Sequence, residues 1–129
     1  PSLGLLTINA LTAADGVMIP IQCEFYALEG VTQLMNTIEL VKSSLNPLLA
    51  IDGVGMTMYD SRTKLSAQVV EEVRKNFGYL VYDTLIARSV RLSEAPSYGM
   101  PITAYAAHSK GARCYEKLAN ELLKSKKHA

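Results

Sequence analysis

Three short apolar runs, each separated from the next by an amphipathic stretch, restrict what this chain can fold into more than any other feature. Gly16-Val17-Met18-Ile19-Pro20-Ile21, Ile51 to Tyr59 and Leu80 to Ile86 are bounded by breakers or turn residues. That is the pattern of strands buried on both faces. Between the first two, apolar residues Leu28, Val31, Leu34, Met35, Ile38, Val41 and Leu45 recur at three- and four-residue steps, predicting an amphipathic helix that stops at Asn46-Pro47. Between the second and third, Ser66 to Phe77 predicts a helix with Val69, Val70, Val73 and Phe77 inward, ended by Gly78. A mostly apolar helix from Leu5 to Ala14 comes first. After the third run, an irregular stretch holds Pro96, Gly99 and Pro101, and Ser109 begins a last helix with Ala112, Tyr115, Leu118, Ala119 and Leu122 inward. Strands alternating with helices at this spacing predict βαβ crossovers and an α/β fold, a parallel sheet with helices on both faces. No linker, low-complexity tract or repeat divides residues 1–129.

With 49% hydrophobic and 19% charged residues, the 129-residue chain falls outside the disordered and fibrous classes. Thirteen Lys+Arg against twelve Asp+Glu leave a formal charge of +1. Any case for an anionic partner must therefore rest on local clusters. Apolar stretches such as Val17 to Ile21 fall far short of the roughly 20 residues that span a bilayer, and no basic leader precedes them. The reading is a cytoplasmic protein with no membrane partner. Cys23 and Cys114 are far apart and lack CxxC or Cys/His spacing, so neither a disulfide nor a metal site is expected. His108 and His128 have no companions and are expected at the surface.

Ligands of parallel sheets bind at the carboxyl ends of the strands. Here that means the polar loops Gln22 to Ala27, Tyr59 to Leu65 and Ala87 to Pro96. A phosphate-cradling G-x-x-x-x-G-K-[ST] run is absent. Gly53-Val54-Gly55 lies inside a strand with no Lys after it, and is read as glycines relieving a crowded strand.

Five segments carry a resemblance that covers the chain to about Leu123: Pro1-Ser2-Leu3-Gly4; Pro20-Ile21-Gln22-Cys23-Glu24-Phe25-Tyr26-Ala27-Leu28-Glu29-Gly30; Thr57-Met58-Tyr59-Asp60-Ser61-Arg62-Thr63; Val90-Arg91-Leu92-Ser93-Glu94-Ala95-Pro96-Ser97-Tyr98-Gly99; and Ser109-Lys110-Gly111-Ala112. The chain resembles the C-terminal half of the ParA/Soj family of chromosome- and plasmid-partitioning ATPases. The resemblance implies one partial domain, half of a three-layer αβα P-loop NTPase fold, with the signature-lysine loop and Walker B aspartate upstream of Pro1. It also implies an ATP- and Mg2+-dependent homodimer that binds double-stranded DNA without sequence preference and is stimulated by a ParB-type partner. This half alone is then expected to be inactive and to hold neither ATP nor Mg2+ tightly.

Carried over residue by residue, the resemblance places the adenine pocket at Met58, Tyr59, Asp60, Ile86, Ala87 and Arg88. It places DNA contacts at Arg62 and Arg91 with Lys64 and Arg88 as neighbours, and a dimer surface at Glu24 and Tyr26. Each assignment has a plainer alternative. Glu24 also reads as a carboxylate at a helix N-terminus, and Arg62 and Arg91 also read as surface ion-pair partners of Asp60 and Glu94. The chain departs from the family at Ala87, Ser89, Met100 and Ala106-Ala107, which bears on base recognition and on charge near Arg91. Two further readings stay open. A MinD-like membrane-cycling half would need an apolar end, whereas Lys124-Ser125-Lys126-Lys127-His128-Ala129 reads as a solvated tail. A stand-alone interaction module would need a polar outer face on the first helix, whereas Ala10, Leu11, Ala13 and Ala14 are apolar.

Overall fold

Strands β1 (Gly16–Gln22), β2 (Ala50–Tyr59) and β3 (Val81–Ala87) lie side by side in that order, and both pairings are parallel. The structure, a computed structural model, describes residues 3–127. Pro1-Ser2 of the first family-like segment and the expected surface residue His128 lie outside the described residues, as does the tip of the tail.

Helix α2 (Ala27–Ser44) connects β1 to β2, and α3 (Lys64–Phe77) connects β2 to β3. α3 begins two residues before the expected Ser66, because Thr63 is its N-cap and its hydroxyl oxygen accepts the Ser66 N–H at 3.3 Å. It ends where expected, at Gly78, whose φ of 54° suits a residue without Cβ. Helix α1 (Leu5–Ala13) ends on a partner distant in sequence: the Asn46 side-chain amide donates to the Leu11 and Ala14 carbonyls at 3.0 and 2.8 Å. Carbonyls orphaned at a helix end are thus satisfied by the residue that stops α2.

Alternation along the strands divides the core. Ile19, Ile21, Val54, Met56 and Val81 pack with Val31, Ile38 and Val41 of α2 and Val69, Val70 and Val73 of α3. On the opposite face, Tyr82 and Ile86 meet Cys114, Leu118 and Leu122 of α6 (Lys110–Lys127). Gly53 and Gly55 belong to this second face. A Cβ on Gly53 would collide with the Tyr82 ring, and one on Gly55 would lie 3.3 Å from Met18 Cε and 3.8 Å from Leu118 Cδ2. The crowding read from the sequence is therefore present, and Gly53 carries most of it. In β3 the register slips between Val81 and Leu85, and the Glu121 carboxylate of α6 accepts the N–H groups of Asp83 and Thr84 there.

Three expectations need correction. Tyr115 and Ala119 are exposed rather than inward, because α6 meets the sheet through Cys114, Leu118 and Leu122. The stretch after β3 is folded into α4 (Val90–Glu94), a 3-10 turn over Ala95–Tyr98 closed by Gly99, and α5 (Ile102–Tyr105). On α1, Leu11 is buried against the core and Ala14 is half-buried, whereas Ala10 and Ala13 are exposed as expected and Leu5 and Leu6 are the large apolar residues left uncovered.

β1 pairs only with β2 among the described strands. α6 covers β3 and part of β2, so Met18 and Pro20 on that face of β1 remain exposed. A largely apolar groove of about 500 Å³ runs along β1, lined by residues including Val17, Ile21, Tyr26, Ala27 and Leu34.

Candidate functional site at the carboxyl ends of the strands

Because the sheet is parallel, the three loops singled out from the sequence leave it at one end. Their roots are tied together by backbone bonds: Cys23 N–H donates to the Thr57 carbonyl and Arg88 N–H to the Tyr59 carbonyl, both at 2.9 Å. Residues from all three strands thus share one rim.

At the end of β2 the backbone is strained. Register runs from Met56 opposite Leu85 to Tyr59 opposite Ala87, so β2 carries an extra residue, and Met58 takes φ of 55°. A left-handed conformation costs a non-glycine residue about 1–2 kcal/mol. Strain of this kind concentrates where a loop must be re-aimed. Here the bulge falls within the expected base-binding stretch Met58, Tyr59 and Asp60.

The six residues expected around a base lie at the adjoining ends of β2 and β3, but their side chains point to different sides. Tyr59 packs on the core and lines a cleft of about 560 Å³ with Ala67, Val70 and Leu85, so its side chain is turned toward α3. Ile86 is 2% exposed and serves the core beneath α6. Backbone at Met58 and Ala87 and the side chains of Asp60 and Arg88 are what the rim offers a ligand.

Two ion pairs organise that rim. Arg62 closes on Asp60 as a fork, Nε to Oδ1 at 2.9 Å and a terminal nitrogen to Oδ2 at 2.8 Å, and its backbone N–H adds a third bond at 3.0 Å. These bonds, the side-chain one foremost, hold the Asp60 carboxyl well below the usual carboxylate range. The plainer alternative for Arg62 is realised, yet the arginine side chain stays 84% exposed. Pairing with Asp60 therefore fixes the guanidinium without removing it from solvent. Arg88 donates to Glu24 at 2.7 Å, joining the loops that follow the two outer strands.

The alternative for Arg91 is not realised. Glu94 accepts the Tyr105 hydroxyl at 2.8 Å, and the Tyr105 ring stacks on Tyr98 at 5.1 Å. That bond pushes the Tyr105 phenol up from its ordinary value. Arg91 on α4 and Lys64 at the start of α3 are exposed and make no ion pair among the described residues. Tyr26 is exposed beside Phe25, edge to face at 5.0 Å. Beneath the rim, burial and the neighbouring Glu24 raise the Cys23 thiol to about 11, and both cysteines are free.

The sequence reading missed the Glu24–Arg88 pair. Its only signal was the position of each residue just past the end of an outer strand, which becomes informative once the strand order is known.

Comparison with known proteins gives this geometry a context. Residues 1–51 match a family model described as an AAA domain. The chain is 61% identical over 122 residues to the sporulation initiation inhibitor protein Soj of Bacillus subtilis, covering 95% of this chain and 48% of that protein. It is 58% identical over 123 residues to the chromosome partitioning protein ParA of Caulobacter vibrioides, covering 95% and 46%. Against the chromosome-partitioning ATPase Soj of Treponema pallidum the identity is 55%, covering 95% and 49%. Among solved structures, cobyrinic acid a,c-diamide synthase from Mycobacterium smegmatis with bound ADP and magnesium superposes with a TM-score of 0.76 at 38% identity, over 98% of this chain and 44% of that one. The chain spans about half the length of the curated relatives it matches.

Proposed function

Because this chain belongs to the ParA/Soj family over the residues it has, we propose that it forms the C-terminal half of a DNA-partitioning ATPase. The observation that carries the reading is the 55–61% identity to ParA and Soj proteins over 95% of the chain. Half coverage of those relatives supports a partial domain, and so do the edge of β1 that no described strand pairs with and the apolar groove beside it, which the other half of such a protein would complete.

In the intact protein, ATP and Mg2+ support formation of a homodimer that binds nonspecific duplex DNA and answers to a ParB-type partner on the nucleoid, in the cytoplasm. This chain offers the phosphates no glycine-rich Lys loop, and the described residues hold no cluster of three metal-ligating side chains. Its part is therefore a wall for the base, made by the strained Met58–Asp60 turn and the Ile86, Ala87 and Arg88 backbone beside it. By itself the chain neither hydrolyses ATP nor holds it tightly, and micromolar ATP binding by the chain alone would overturn that.

Arg62 and Arg91, with Lys64 beside them and Arg88 once released from Glu24, supply phosphate contacts that set position and carry no sequence information. Glu24 and Tyr26, exposed at the mouth of the β1 loop, face the second subunit. The test is a salt-dependent titration of nonspecific duplex with the ATP-loaded full-length protein and its Arg62→Ala and Arg91→Ala variants. Removal of one phosphate-binding arginine should flatten the slope of log K against log salt by roughly 0.9 per chain, with ATP binding retained. Unchanged slopes in both variants would remove the DNA role from these residues.

A further inference from the structure

A second group of cations lies away from the rim, on α6. Lys110, Arg113, Lys117 and Lys124 follow one another at three-, four- and seven-residue steps, which keeps them on one side of a helix of about 3.6 residues per turn. All four are exposed, and among the described residues none makes an ion pair. Three of them, with Cys114, line an open cleft of about 380 Å³. The chain's formal charge is only +1, so this concentration is local.

Two details keep the stripe free of ion pairs and ordered. Glu121, which the helical repeat brings close to this face, has its carboxylate engaged by the Asp83 and Thr84 N–H groups of β3. Arg113 donates to the His108 carbonyl at 2.7 Å, which fixes its guanidinium at the start of the helix. The stripe also continues toward the rim. A Cβ on Gly111 would lie 2.7 Å from Leu92 Cγ, so α4 crosses the first turn of α6, and Arg91 and Lys110 are the chain neighbours of Leu92 and Gly111.

We propose that the α6 stripe is a second phosphate-binding track for double-stranded DNA, running on from Arg91 down the side of the molecule. The inference rests on the partitioning-ATPase reading and extends its DNA footprint. Lys110 to Lys124 span about 21 Å at about 1.5 Å per residue. Over that length each strand of a duplex presents a phosphate about every 3.4 Å of axis, enough to meet every cation of the stripe. A lipid surface fits less well. An interfacial helix needs its apolar face turned outward, whereas Leu118 and Leu122 of α6 are packed against β3.

The experiment uses the ATP-loaded full-length protein and a fluorescently labelled duplex of arbitrary sequence, titrated at several salt concentrations. Lys110→Ala/Arg113→Ala/Lys117→Ala should flatten the slope of log K against log salt by up to about 3 per chain, at roughly 0.9 per phosphate. The charge-preserving Lys110→Arg/Lys117→Arg should keep the wild-type slope, and Lys75→Ala, which removes a cation already paired with Glu71 and Glu72, should leave it unchanged. Melting curves and ATP binding report folding of each variant. A stripe variant that folds and keeps the wild-type slope, while Arg62→Ala and Arg91→Ala flatten it, overturns the track and leaves the proposed function intact. Unchanged slopes in all of them overturn the DNA reading itself. Loss of binding to vesicles rich in anionic lipid, with DNA binding retained, assigns the stripe to a membrane and also overturns the proposal.

Discussion

Glu24→Gln is the perturbation that most directly tests how the rim is held. It keeps the size of the side chain and removes the charge that engages Arg88 at 2.7 Å. At that separation Coulomb's law gives about 1.5 kcal/mol in a water-like dielectric and about 6 kcal/mol at an effective value of 20. With the two side chains 52% and 48% exposed, the water-like limit is the nearer one, and ordering two long side chains cancels a good part of it. The expected coupling is about 0.5–1 kcal/mol, read from a double-mutant cycle of Glu24→Gln and Arg88→Ala in urea unfolding. It should shrink toward zero at molar salt, where the screening length falls to about 3 Å. The functional consequence has the opposite sign. An Arg88 released from Glu24 can meet a phosphate, so Glu24→Gln should steepen the salt dependence of duplex binding by up to about 0.9 per chain. A coupling that persists unchanged at high salt would refute the electrostatic account of the pair. A cycle with normal coupling but no change in DNA slope would refute the idea that Glu24 restrains Arg88.

Gly53→Ala should destabilise the protein by about 1–3 kcal/mol, because the new methyl overlaps the Tyr82 ring; a melting temperature unchanged from wild type would show that the ring can move aside. Since bonds from Arg62 lower the Asp60 carboxyl below its ordinary value, the pair contributes above the unfolded-state value near 3.9, and the contribution fades as pH falls below that toward the folded-state value. Wild type should therefore exceed Asp60→Asn in melting temperature at pH 6 and converge with it at strongly acid pH; a gap that widens on acidification would reverse the assignment. Cys23, buried and raised to about 11, should react with a thiol reagent at pH 8 far more slowly than Cys114 in the native protein; equal labelling rates would show that the rim opens readily.

Local periodicity determined a great deal of this protein. Two-sided apolar runs and three- and four-residue steps located β1 to β3 and α2, α3 and α6 to within two residues at each end that could be judged, because the energetic preference for burying one face or two is written in the nearest few side chains. Breakers did the same for ends: Gly78 stops α3 through its own positive φ. Tertiary structure decided whatever depends on partners far along the chain. Whether α6 presents Cys114 or Tyr115 to the sheet is set by the neighbouring Tyr82 and Ile86, since both lie near the edge of the same helical stripe. Asn46 read only as a stop signal until α1 was brought within reach of its amide, more than thirty residues away. Glu24 and Arg88 are 64 residues apart and meet because β1 and β3 flank β2. Met58 acquires a left-handed backbone because β2 carries one residue more than β3 between two fixed pairings. Strand order and register are sums over long-range contacts, and no window of sequence contains them.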